Sequence, residues 1–165
     1  MQAIKDFLTS QMGNDSPDWQ QQGSGLLTWS VFSIYRATLW TAGTLELHES
    51  QPGNTAFALQ FEYLRNVSAD YIIDASQREM LRIASAADTA IAQWTDQLRT
   101  IIPDAGRGDL LWILFLPEQQ EVRFYNDEQL LGSMVSSGFP RAFADIWFHQ
   151  QCHSPRLRNQ LLGEA

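Results

Sequence analysis

The residues with most capacity to hold a polar ligand group are two arginines, a tyrosine and a serine. Arg36 shares one face of the alternating run "SVFSIYR" with Ser30, Phe32 and Ile34. A guanidinium among apolar side chains suits an acyl chain with a carboxylate head, provided that face lines a cleft. The plainer reading sends Arg36 to water, or to Glu46 or Glu62. Tyr71 and Arg78 stand seven positions apart in a stretch of helical period, so they share a helix face. They are a second pair that a ligand could engage, or an ordinary surface pair. "HQQCH" sets Cys152 and His153 three and four positions after His149, which on a helix would bring soft metal ligands together. Ser154 and Pro155 take the chain out of a helix there and no fourth ligand is near, so no metal is expected. A Cys152–His149 nucleophile pair lacks an orienting third group.

Another recognition signal, Arg107-Gly108-Asp109, lies in "GRGDLLWILFLPEQQEVRFYN". As an adhesion tripeptide it would need a protruding loop. Here it abuts the apolar run from Leu110 to Leu116, for which water is a costly environment. Gly106 and Gly108 supply backbone freedom for a tight turn. The stretch therefore reads as a turn leading into a buried hairpin. Asn66-Val67-Ser68 matches a glycosylation sequon, but Ser68 is better used as a helix cap.

The elements that must position these residues follow from the change of period along the chain. Residues 1–22 read as an amphipathic turn (Ile4, Phe7, Leu8) and a polar connector, and residues 23–165 as one domain. "GSGLLTWSVFSIYRATLWTAGTLELHE" reads as two strands or one bent strand, apolar on both faces. "FALQFEYL" alternates like a half-buried strand. Ser68 then caps a helix through "ADYIIDASQREMLRIA", and Asp88 starts another, with Ile91, Trp94, Leu98 and Ile101 on one stripe until Pro103. "LLWILFLP", "EVRFYN" and "LLGSM" are strands. Helices return with Phe143, Ile146 and Trp147, and again from Ser154-Pro155 to Gly163. Strands early and late, with helices in two blocks, make an α+β fold on an antiparallel sheet.

Composition bounds the function. A net charge of −8 over 165 residues makes a poor partner for nucleic acid, and no basic run is present to bind anionic lipid. With 44% apolar and 18% charged residues, the chain is long enough and greasy enough to bury a real core. A single cysteine allows no internal disulfide and leaves the compartment open. No signal-peptide core and no stretch of ~18 apolar residues is present. As given, the chain is expected to be soluble and cytoplasmic, or periplasmic if a leader was removed.

Several stretches, in this order, resemble bacterial chalcone isomerase-like proteins: "GSGLLTWSVFSIYRATLW", "FALQFEYLRNVSADYIIDASQREM", "IIPDAGRGDLLWILFLPEQQEVRFYNDEQLLGSM" and "AFADIWFHQQCHSPRLRNQLLG". The resemblance implies an open-faced β-sandwich, an antiparallel sheet covered by a helical layer with a ligand cleft between. It also implies a division of function, since plant relatives close a flavonoid ring and others bind fatty acids. Ring closure needs a cation to hold a developing oxyanion. Where the plant enzymes carry that arginine, this chain has Leu26 and Leu27. Ser30 loosely replaces their threonine, Tyr71 matches their tyrosine, and Arg78 falls where they carry an asparagine. The expectation is therefore non-catalytic binding of a fatty-acid-like or flat apolar molecule, with Arg36, Ser30, Tyr71 and Arg78 as ligand-binding candidates and no cofactor. The alternatives are an isomerase or lyase using Ser30 and Tyr71, and a partner-binding structural module with a filled core.

Overall fold

The computed structural model describes residues 19–29, 31–42, 47–48, 51–52, 55–126 and 129–164. Among these residues eight strands and four α-helices follow one another as β1 (Trp19–Trp29), β2 (Phe32–Ala42), β3 (Leu47–His48), β4 (Gln51–Pro52), β5 (Phe57–Tyr63), α1 (Ala69–Ile83), α2 (Asp88–Arg99), β6 (Leu110–Leu116), β7 (Glu121–Asn126), β8 (Gln129–Val135), α3 (Phe139–Phe148) and α4 (Pro155–Leu161). Six of the strands form one antiparallel sheet in the order β1-β2-β5-β6-β7-β8. β3 and β4 pair separately.

The central strands are apolar on both faces because both faces are buried. Leu39, Phe57, Leu59, Phe61, Ile113, Phe115, Val122 and Phe124 point to the helices and form the main core with them. Trp19, Trp40, Ala58, Trp112, Leu114, Leu116 and Tyr125 form a second buried cluster on the other face. Trp19 is only 1% exposed, so residues 19–22 of the stretch read as an extension belong to the sheet.

Local signals set the helix ends. Ser68 Oγ accepts from Tyr71 N at 3.1 Å to cap α1, and Ser154 Oγ accepts from Leu157 N at 3.2 Å to cap α4. Pro140 and Pro155 sit in first turns, where no backbone donor is missed. Arg107-Gly108-Asp109 is a turn stitched to the sheet. Gly108, at φ +90°, donates its N–H to Tyr63 O at 2.8 Å, and Tyr63 N donates to Asp109 O at 3.0 Å. Asn66 Oδ1 accepts from Arg107 N at 2.9 Å, and Asp104 Oδ1 accepts from Ala69 N at 2.8 Å. The turn thus fixes where α1 begins, and through it where Tyr71 stands.

At the β1 edge the Gly-x-Gly pair permits close approach. A Cβ on Gly23 would collide with the backbone oxygens of Gln160 and Leu161 at the end of α4. These are main-chain atoms that cannot swing aside. Gly23→Ala is expected to lower stability by roughly 1–3 kcal/mol, the usual cost of overpacking, read from urea unfolding.

Asp145 on α3 is 3% exposed, and its Oδ1 has no hydrogen-bond partner among the described residues. Burial pushes its pKa up to about 6, against the pull of nearby Arg141. The folded carboxyl holds its proton to higher pH than an unfolded one would. Stability therefore falls as pH rises from about 3.8 to about 6, and the deficit persists above. Asp145→Asn should remove that slope and stabilise the protein at neutral pH by on the order of 1–3 kcal/mol, checked by denaturation at two pH values.

Candidate functional site

Between the sheet and the helices lies a cavity of about 400 Å³. Its floor is made by side chains such as Leu27, Tyr35, Phe61 and Ile113 from β1, β2, β5 and β6. α1 covers it with Ile72, Ile73, Ala75 and Ser76, and α3 closes one side with Phe143, Ile146 and Trp147. The walls are mainly apolar, and the size falls within the ~300–1,000 Å³ of small-molecule sites.

A β-bulge shapes the floor. Leu27 pairs with Tyr35 but Thr28 pairs with Ser33, so Ile34 is an extra residue in β2. Such an insertion re-aims neighbouring side chains. Here Leu27 and Thr28, and Ile34 and Tyr35, all line the cavity although each pair is consecutive. Beyond the bulge the strand alternates normally. Ala37 and Leu39 face the helices, while Trp40 joins the outer cluster. Arg36 falls with Trp40. It is exposed, lies opposite Glu62 in the ladder, and does not line the cavity. The face assumed for it from simple alternation is corrected by the bulge at Ile34. Ser30 lies outside the described residues.

Tyr71 and Arg78 do come together at the cavity, on one face of α1 as their spacing implies. Both are exposed, so this is the mouth rather than the depth. Burial raises the Tyr71 pKa, and the Arg78 charge works the other way. Arg78 has no hydrogen bond or ion pair among the described residues. Beside it, Arg82 is engaged. It donates to Glu79 Oε2 through Nη2 at 2.6 Å and Nε at 3.0 Å, and Nη2 also reaches Gln151 O at 2.8 Å. His153 Nδ1 stands 3.8 Å from Glu79 Oε1. His153 therefore belongs to the rim of this cavity. Among the described residues no group of three His, Cys, Asp or Glu could hold a metal ion.

One polar group on the cavity floor is one that the sequence reading passed over. Tyr35 Oη accepts from Trp147 Nε1 at 3.1 Å, across 112 residues of chain. Its ring meets Phe61 edge-on at 4.9 Å. Desolvation pushes the Tyr35 pKa well above that of a free tyrosine, and burial does the same to Tyr63. Tyr35 thus stays a neutral donor, and its own O–H has no acceptor among the described residues. The one signal in the sequence was a tyrosine in a largely apolar strand, which says that a hydroxyl needs a partner without naming it.

A sheet roofed by helices over a largely apolar hollow matches a known family. The family model described as chalcone isomerase-like covers residues 7–163. The chain belongs to the chalcone isomerase-like family. A solved structure, that of a fatty-acid binding protein from Arabidopsis thaliana, has the same fold, with a TM-score of 0.63 over 90% of this chain and 88% of that one. The two are 11% identical, so the likeness is one of fold. No curated protein matches the chain. The open-faced sandwich expected from the sequence is the fold observed.

Of the chain's four tyrosines, Tyr35 and Tyr63 are expected to remain protonated until the fold opens. A spectrophotometric titration followed beside circular dichroism checks this. Full phenolate absorbance below pH ~11 with the native dichroism intact would contradict the enclosed site.

Proposed function

We propose that this protein binds a fatty-acid-like molecule without transforming it. The acyl chain occupies the sheet–helix cavity and the carboxylate lies at the mouth beside Tyr71 and Arg78. The observation that carries this reading is an apolar cavity bordered by an arginine with no other partner among the described residues. A guanidinium at such a rim keeps its hydration when the site is empty and offers a charge-assisted bond when it is filled. Likeness of fold to a fatty-acid binding protein supports the same reading.

Ring closure of the plant type would ask for a guanidinium on the floor. Leu27 lines that floor and Arg36 is outside it. The open hollow also favours a ligand over a partner-binding module with a filled core.

Native mass spectrometry after addition of a long-chain fatty acid should show one bound molecule. Arg78→Ala should weaken binding roughly tenfold, the low end for a charged hydrogen bond at an exposed site. Ala75→Trp should fill the cavity and abolish binding with the helical spectrum retained. Unchanged affinity in Ala75→Trp would place the ligand elsewhere.

A further inference from the structure

We infer that the β1–β2 tip beside the cavity mouth docks onto an anionic phospholipid surface. This rests on the reading of the cavity as an acyl-chain site, since it supplies the place from which such a chain is collected. Val31 at the turn is 86% exposed and Phe32 is 51% exposed, next to each other. Tyr71 on the rim is 38% exposed. Adjoining apolar side chains held in water are unfavourable unless something covers them.

The tip is continuous with the cavity. Thr28 and Ile34, on the two arms of this hairpin, both line it. Leu64 N donates to Ile34 O at 2.9 Å, which ties the base of the hairpin to the segment carrying Arg65. The Arg65 guanidinium lies 4.0 Å above the centre of the Phe32 ring. Neither Arg65 nor Arg78 has a carboxylate partner among the described residues. A ring that can enter the acyl boundary, with the Arg65 cation beside it and Arg78 at the cavity mouth, is the chemistry of an interfacial anchor. The two arginines come from separate segments, so no basic run announces them. The chain carries a net charge of −8, which makes the attraction local and sensitive to salt.

The test uses the ligand-free full chain and sedimentation with vesicles of phosphatidylcholine containing phosphatidylglycerol. Wild type should sediment with them, less so in high salt, and poorly with phosphatidylcholine alone. A V31D/F32D double variant should lose at least about tenfold in vesicle affinity. Its circular dichroism and its affinity for a free fluorescent fatty acid should match wild type, since neither residue lines the cavity. Arg65→Ala should weaken sedimentation without changing fatty-acid affinity. Wild type left in the supernatant, or a double variant that sediments equally well, would overturn the docking. Failure of the cavity reading is seen separately, as no uptake of the fatty acid in the absence of vesicles.

Discussion

The arrangement depends on the packing of the aromatic rings of α3 against the inner face of the sheet. Phe148 meets Phe57 edge-on with centroids 5.8 Å apart, and Phe143 lies 6.0 Å from Phe115 and 5.8 Å from Phe124. Trp147 tilts over Phe61 at 5.4 Å. Rings bury large areas with little side-chain entropy to lose, so they fix the distance between layers better than long aliphatic chains would. α1 offers the sheet smaller or more distant groups, Ala75 and Ser76 among them. The layers touch beneath α3 and stand apart beneath α1, and that difference is the cavity.

Within this frame the polar groups are ordered by how much water they keep. Tyr35 Oη accepts the Trp147 indole N–H at the inner end, where an unpaired indole N–H would be costly. Glu79, Arg82 and His153 form a partly exposed cluster that ties α1 to the segment before α4. Arg78 is exposed at the mouth. An acyl carboxylate would complete this sequence from neutral to charged. Its tail would meet side chains that ask nothing of it but contact.

Much of this was legible in the residues alone. The period changes at Ser68, Asp88 and Phe139, and the strands of the late hairpin, were set by local chemistry, and the structure places elements there. Tyr71 with Arg78 followed from helical spacing, which tertiary packing left undisturbed. Two things escaped. The face of Arg36 depended on a bulge, and an extra residue in a strand has no reliable mark in composition. Tyr35 with Trp147 depended on a contact between segments 112 residues apart, for which no local pattern exists. Trp19 escaped for a related reason. A lone tryptophan among glutamines looks like a connector until the outer cluster that receives it is known.

The bulge at Ile34 makes hairpin length a chemical variable. The ladder is regular on both sides of Ile34, so losing that one residue would close the bulge, leave Tyr35 and Arg36 on their present faces and withdraw one apolar side chain from the cavity. A residue lost elsewhere in β2 would instead reverse every position on one side of the cut. Relatives that differ by a single insertion or deletion between β1 and β2 would then present different groups to the same hollow, even with every remaining residue unchanged. Diversification of this site can thus proceed through gaps as readily as through substitutions.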